Sequence, residues 1–336
     1  MVMTVGVIGA GNIGEHLIRE KLAKMSVDVR FIMKDDGIYK NMTEKVGELH
    51  GWRCWHSITT VDVVFLAIPT LDDGKIASEY MDFFLSRGIR VITCEKGAMS
   101  NYFDQVAQWR DMIGYSAAVG GGTRLLKHLK LQISSDTEEI HAVLNGTLNF
   151  IFSEISLGRS FGEVVEEARR LRCVEPGAKD PLEIINKEAA LDIPMKTAIL
   201  LNVLDFGGRI SFAQARNIQV KKVKEEELNQ LLKQADKFRY IVSVAKSNHE
   251  EPCIGGFKYK IGSWNVSGGF KKIESNSLYN DLVINGVNNA FVVSEGKYGK
   301  SGRYRFIGPG AEPEPTTSAM MKDFADFCYE ILKARS

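Results

Sequence analysis

With 336 residues, 44% of them hydrophobic, the chain is long enough to bury the cores of two domains. Lys and Arg total 43 against 42 for Asp and Glu, so no global field draws it to nucleic acid or an anionic membrane, and a small molecule is the expected partner. Cys54, Cys94, Cys173, Cys253 and Cys328 are scattered and form no C-x-x-C pair, which argues against a disulfide framework and a thiolate metal site; they read as reduced and buried.

The opening M-V-M-T-V-G-V-I-G lacks a basic n-region and turns glycine-rich too early for a signal peptide, and no apolar run approaches the ~20 residues that span a bilayer. A cytoplasmic protein is expected. V-G-V-I-G, V-D-V-R-F-I-M, V-D-V-V-F-L-A-I and I-R-V-I-T-C then alternate with helix-like stretches, the rhythm of βαβ units and a parallel sheet. G-A-G-N-I-G places Gly9, Gly11 and Gly14, with Asn12 and Ile13 between them, after the first strand and at the start of a helix. Tight turn, close approach of backbone to a pyrophosphate and helix–sheet packing each need a missing side chain, and the helix start offers N–H groups to the phosphates. The second strand ends at Lys34 and Asp35, about 20 residues past the last glycine, where an acid holds the ribose 2′-hydroxyl of NAD and a base accepts the 2′-phosphate of NADP; with both present, the choice stays open. Pro69 and Thr70 end the third strand at the sheet's carboxyl edge, where ligands of such sheets bind, and Lys96 follows the fourth. A lysine there could complement the alkoxide that forms as a carbonyl accepts hydride; read alone, it is a solvated turn residue.

From about residue 125 the pattern changes. E-I-H-A-V-L-N reads as a strand, 147–173 and 180–204 as mostly helical with breaks at Gly158 and Pro176-Gly177, and C-I-G-G-F-K-Y-K-I-G, Y-N-D-L-V-I-N-G-V-N-N-A-F-V-V and R-Y-R-F-I-G as strands. V-K-K-V-K-E-E-E reads as a solvated charge run, and the final T-T-S-A-M-M-K-D-F-A-D-F-C-Y-E-I-L as an amphipathic helix. In L-D-I-P-M-K, Asp192 suits a helix N-cap with Pro194 in the first turn. Four residues apart, Asp192 and Lys196 would share one helix face, so cap and chemical pair are compatible readings. The histidines stand singly and are assigned no chemistry.

C-E-K-G-A-M-S, Y-S-A-A-V-G-G-G-T, L-N-G-T-L-N-F-I, S-F-G-E-V-V-E-E-A, V-E-P-G, D-I-P-M-K and G-P-G-A-E-P-E-P-T-T-S-A, in this order and over nearly the whole chain, resemble homoserine dehydrogenases. The resemblance implies NAD(P)H-dependent reversible reduction of L-aspartate 4-semialdehyde to L-homoserine, and a chain without kinase or ACT domain. It implies a Rossmann-type α/β domain at 1–124, joined by a returning helix at 312–336, and an α+β substrate and dimerisation domain at 125–311 of a homodimer. By the same resemblance Lys196 is proton donor to the carbonyl oxygen and Asp192 orients that lysine or a water. Lys96 stands by nicotinamide and substrate, Glu175 holds the substrate ammonium, Gly146 and Thr147 line the substrate, and Gly310 and Glu312 lie near the cofactor. Whether the ammonium or a bound water gives the proton is left open, as is the second acid before Asp192, for which Asp180 and Glu183 are candidates or merely helix caps. The family often binds a monovalent cation, Na or K, through carbonyls here at Val119, Gly121 and Thr123, but Ser116 replaces its glutamate ligand, which weakens such a site. Arg124 and Glu312 replace residues usually small or proline. The alternatives are a related NAD(P) oxidoreductase on another small amino or hydroxy acid, favoured by the altered 176–191 segment, and a non-catalytic nucleotide-binding sensor.

Overall fold

The computed structural model describes residues 2–50, 53, 56–171, 180–208, 211–247, 251–310 and 313–335. Two compact units result, Met1–Ala118 with Pro313–Ser336, and Val119–Glu312.

The first unit is built on a seven-stranded sheet: β1 (Met3–Ile8), β2 (Val27–Lys34), β3 (Gly37–Tyr39), β4 (Lys45–Gly47), β5 (Val63–Leu66), β6 (Arg90–Thr93) and β7 (Ile113–Gly114), in the order β4-β3-β2-β1-β5-β6-β7. Strands β2-β1-β5-β6-β7 run parallel, and their apolar runs are buried as a doubly covered sheet requires. The helix Pro313–Arg335 packs Ala319, Met320, Phe324, Phe327 and Ile331 into the core formed by Val5, Val7, Phe65 and Ile92. One expected helix is absent. After β2 the two-residue turn Asp35-Asp36 sends the chain back antiparallel, pairing Lys34 with Gly37, so β3 and β4 extend the sheet edge where a helix was expected. Asp before Gly is turn chemistry, and it overrides the βαβ rhythm here.

The second unit carries a six-stranded antiparallel sheet: β8 (Thr137–Val143), β9 (Phe238–Ala245), β10 (Ile254–Ile261), β11 (Trp264–Lys272), β12 (Asn288–Glu295) and β13 (Gly302–Pro309), ordered β10-β11-β9-β8-β12-β13. Strands β9 and β11 were not anticipated: F-R-Y-I-V-S-V-A has no alternation, and the glycine pair of W-N-V-S-G-G-F-K-K looks like a turn. Of the strand expected over Y-N-D-L-V-I-N-G-V-N-N-A-F-V-V only the end forms, as β12; its start lies in a 3-10 segment, Ser277–Leu282, whose Leu278, Tyr279 and Leu282 are buried. The charge run leads into a helix, Glu225–Lys233, with its three glutamates in the first turn. On one face of the sheet Phe270 packs against Phe152 of the helix Gly146–Ser156, ring centroids 4.8 Å apart. The alternating residues, among them His141, Ser243 and Lys271, point to the opposite face.

A helical stretch runs from Pro181 to Val203 without a break, through Pro181–Lys187, a π-helical turn Glu188–Asp192, and Ile193–Val203. The expected helix start at Asp192 is therefore wrong. Asp192 has helical dihedrals (φ −69°, ψ −45°) and makes no capping hydrogen bond. The true cap is Asp180, whose Oδ1 accepts the Glu183 N–H at 2.8 Å, with Pro181 at the first helical position. Pro194 sits mid-helix just after the π turn, where the hydrogen-bond ladder is already changing register.

Candidate active site

In the first unit the three glycines have distinct physical reasons. Gly9 adopts φ +92°, and a Cβ there would collide with the Ala67 carbonyl; a Cβ on Gly14 would collide with the Gly9 carbonyl. Gly11, which precedes the helix Asn12–His16, has nothing within 4 Å of its Cβ direction. Thus two glycines pack the turn and the one left open stands where backbone must approach a pyrophosphate, so the cradle fits a dinucleotide.

Pro69 and Thr70 are exposed just beyond β5. The Thr70 hydroxyl donates to Glu95 Oε1 at 2.6 Å, and the Gly97 and Ala98 N–H groups donate to the same carboxylate at 2.5 and 2.8 Å. Buried Glu95 thereby ties the loop after β5 to the turn that carries half-buried Lys96, and burial raises its pKa above the ordinary glutamate value. Lys34 donates to the Met42 carbonyl and lies over the Tyr39 ring, 4.2 Å from its centroid; Asp35 is exposed. The Tyr39 hydroxyl donates to Asp36 at 2.7 Å, and that hydrogen bond lowers the Asp36 pKa.

In the second unit Lys196 is 7% exposed, and its Nζ donates to Asp192 Oδ2 at 2.7 Å and to the Leu144 carbonyl at 2.8 Å. Asn145 joins these elements. Its Oδ1 accepts the Leu148 N–H at 2.7 Å as N-cap of the helix Gly146–Ser156, while its Nδ2 donates to Glu188 Oε2 at 2.7 Å and Asp192 Oδ2 at 2.8 Å. Glu188, Asp192 and Lys196, spaced by fours, share one helix face against the turn that contains Gly146 and Thr147. Sequence reading overlooked Asn145 and Glu188. The first was visible as an Asn preceding Gly-Thr, a capping signature, and the second as the next acid at helical spacing.

Gly146, Gly121 and Gly310 are close neighbours. A Cβ on Gly146 would lie 2.8 Å from Val287 Cγ1, the Gly310 N–H donates to the Val287 carbonyl at 2.8 Å, and a Cβ on Gly121 would lie 2.5 Å from the Pro309 carbonyl oxygen. Val119 is buried, and the backbone of Thr123 closes the short 3-10 segment Gly121–Thr123. Arg124 adopts φ +55°, a left-handed conformation uncommon for any residue other than glycine. Ser116 is committed elsewhere: its Oγ donates to Asp323 Oδ1 at 2.6 Å and its N–H to Oδ2 at 2.8 Å. Glu175 and Glu312 lie outside the described residues, as do Pro176 and Gly177. Among the described residues, no group of three His, Cys, Asp or Glu could hold a metal ion, and no helix is long and apolar enough to cross a membrane. Cys94, Cys253 and Cys328 are free thiols in residues of intermediate exposure rather than fully buried ones; the Cys94 sulfur itself is turned inward, and its desolvation raises its pKa to about 12.

A glycine cradle on a parallel sheet, in one chain with an antiparallel-sheet unit that presents a buried lysine–carboxylate cluster, defines a two-domain protein of the Rossmann type. The family model described as Homoserine dehydrogenase matches residues 125–325, more than half of the chain, and the chain belongs to the homoserine dehydrogenase family. It is 26% identical over 275 residues to the homoserine dehydrogenase of Pseudomonas aeruginosa, covering 79% of this chain and 56% of that protein. It is 28% identical over 243 residues to a chloroplastic bifunctional aspartokinase/homoserine dehydrogenase 2 of Zea mays, covering 59% of this chain and 26% of that protein. The chain thus spans only part of the length of these relatives. Among solved structures, the homoserine dehydrogenase of Thermoplasma acidophilum superposes with a TM-score of 0.71 at 16% identity, covering 98% of this chain and 100% of that one. A hyperthermophilic archaeal homoserine dehydrogenase in complex with NADPH gives 0.68 at 19% identity, with 98% of each chain covered. At such identities the superpositions establish the fold.

Proposed function

We propose that this protein catalyses the reversible reduction of L-aspartate 4-semialdehyde to L-homoserine with NADPH or NADH. The single observation that carries the reading is the cluster in which buried Lys196 is paired with Asp192 at 2.7 Å, one residue of turn away from Gly146, inside a segment matched by the family model.

Gly9, Gly11, Asn12, Ile13 and Gly14 would hold the pyrophosphate, with Pro69, Thr70, Gly310 and Glu312 along the remainder of the cofactor. When bound, the nicotinamide supplies the hydride. As hydride reaches the carbonyl carbon, the oxygen gains negative charge, and an ammonium held out of bulk water stabilises it strongly and gives it a proton. Lys196 takes that role. Asp192 fixes its position, and Asn145 holds Asp192 in turn, so a proton leaves Lys196 Nζ, or a water it polarises, without rearrangement of the helix. Glu188, a buried carboxylate next to this pair, joins Glu175 as an acceptor for the substrate ammonium; Gly146 and Thr147 line the substrate. Lys96 is assigned to the nicotinamide end, in a turn made rigid by Glu95. Lys34, a cation at the end of β2, supports use of NADPH, and the neighbouring Asp35 leaves NADH usable.

Activity in a cytoplasmic homodimer acting on small molecules, without nucleic acid, completes the proposal. A monovalent cation on the Val119, Gly121 and Thr123 carbonyls would do without a side chain from Ser116, whose hydroxyl is already engaged. The test follows nicotinamide absorbance with aspartate semialdehyde and each reduced cofactor, and in reverse with homoserine. Turnover in both directions is expected; none with either cofactor refutes the proposal.

A further inference from the structure

Two loops at the carboxyl edge of the parallel sheet in the first unit are locked to each other. Past β5 the chain turns through Asp72, Asp73 and Gly74 with φ of +47°, +56° and +97°, three successive left-handed residues of which two are not glycine. Such a run is unfavourable by itself and persists only where its surroundings hold it. Past β6 come Cys94, Glu95 and Lys96, then the short helix Gly97–Asn101.

The loops meet backbone to backbone. A Cβ on Gly97 would lie 2.6 Å from Gly74 Cα and 2.7 Å from Thr70 Cγ2, and a Cβ on Gly74 would strike the Gly97 carbonyl carbon. Side chains clamp this contact from both ends of the second loop. At one end the Glu95 carboxylate, 2% exposed, accepts the Thr70 hydroxyl from the first loop and the Gly97 and Ala98 N–H groups from the second. Its backbone is pinned as well: the Glu95 N–H donates to Thr93 Oγ1 at 2.9 Å, and the Thr93 hydroxyl donates to the Leu66 carbonyl at 3.2 Å. At the other end buried Asn101 donates through Nδ2 to the Asp73 carbonyl at 3.0 Å and to Asp73 Oδ1 at 2.8 Å, in the middle of the left-handed run. The Lys96 backbone is therefore held between Glu95 and the Gly97 contact.

We propose that Glu95 and Asn101 are positioning residues, which hold the strained segment Asp72–Gly74 against the Gly97 turn and so preset Thr70 and Lys96 for the nicotinamide half of the cofactor. The inference rests on the proposed reaction, which puts Lys96 at that end. Three donors converge on Glu95, and its two carboxylate oxygens accept them all. A glutamine of the same shape cannot do so, because its NH2 group would face the N–H of either Ala98 or Gly97. Asn101 acts on the strained run itself, and its removal lets that run relax away from Gly97. Neither residue belongs to the Gly9, Gly11 and Gly14 cradle, so the adenosine half of the cofactor should not register the change.

The test is isothermal titration of the full chain, and of Glu95→Gln and Asn101→Ala, with NADPH and with adenosine 2′,5′-bisphosphate, the part of that molecule without nicotinamide. Glu95→Gln is expected to weaken NADPH about tenfold, the size of one charge-assisted hydrogen bond, and Asn101→Ala about fivefold, that of a neutral one. Affinity for the adenosine bisphosphate should match the parent's in both. A merely structural role would weaken both ligands together. The inference is overturned if the two ligands weaken alike, or if either variant binds NADPH as the parent does; should Glu95→Gln fail to fold, Asn101→Ala decides by the same criterion. Homoserine turnover is read separately, so a parent that binds NADPH without turnover refutes the proposed reaction while the affinity split still decides this inference.

Discussion

Among the described residues of the second unit two lysines are buried, and they are held differently. Lys196, on a helix, has a carboxylate at 2.7 Å and a carbonyl at 2.8 Å. Lys271, on a strand at the other face of the sheet, has hydroxyls at 2.7 and 2.9 Å and its carboxylate only at 3.8 Å. Burial consequently wins over pairing at Lys271 and lowers its pKa to about 8. Burial alone therefore does not make a lysine chemical. What distinguishes Lys196 is a close carboxylate that is itself oriented by Asn145, beside a glycine turn that leaves room for a substrate.

Changes to the partners sharpen that contrast. Among the residues that hold Lys196, the larger effect is expected from Asp192→Asn, which removes the charge that positions it: kcat should fall by about 10²-fold, at the lower range of a general acid's contribution, while the dissociation constant for NADPH, from fluorescence titration, stays the same. Asn145→Ala comes next. It deletes a helix cap worth ~1 kcal/mol together with two hydrogen bonds to carboxylates, so kcat/KM should drop by roughly tenfold and urea denaturation should show the loss of stability.

Lys271 supplies the smallest effect and a sign. Its folded pKa, about 8, lies below the ordinary lysine value of 10.5, so the unfolded chain holds the proton more tightly. Stability from this group is fully present above the unfolded value and is lost as pH falls through the folded one, so it rises with pH between about 8 and 10.5. Urea midpoints of the parent should rise across that window relative to Lys271→Met, whose slope lacks this contribution, and homoserine turnover should be unchanged in the variant. Parallel slopes would mean that the two lysines are not held differently.

How far these features could be read beforehand depends on what each residue does. Gly9 and Gly14 were legible because each answers a local steric need that only glycine meets, and Gly11 because a pyrophosphate cradle needs bare backbone between them. The Asp192–Lys196 pair was legible as a four-residue spacing, but its place was misread: proline two residues after an aspartate resembles a capped start, and the π turn that carries the helix past it has no sequence signature. Asp35-Asp36-Gly37 hid a strand reversal inside a βαβ rhythm. Lys271 could not be found at all. It adjoins Lys272 in a strand, side chains alternate between faces, and only the sheet's topology decides that the first is buried while the second is exposed.

Lys196→Met tests the central claim most directly, through steady-state turnover of homoserine and NADPH affinity measured on the same preparation. Loss of kcat by about 10³-fold or more, with cofactor affinity and folded stability retained, is the result predicted for the proton donor. A variant that turns over homoserine at a rate near the parent's would contradict it.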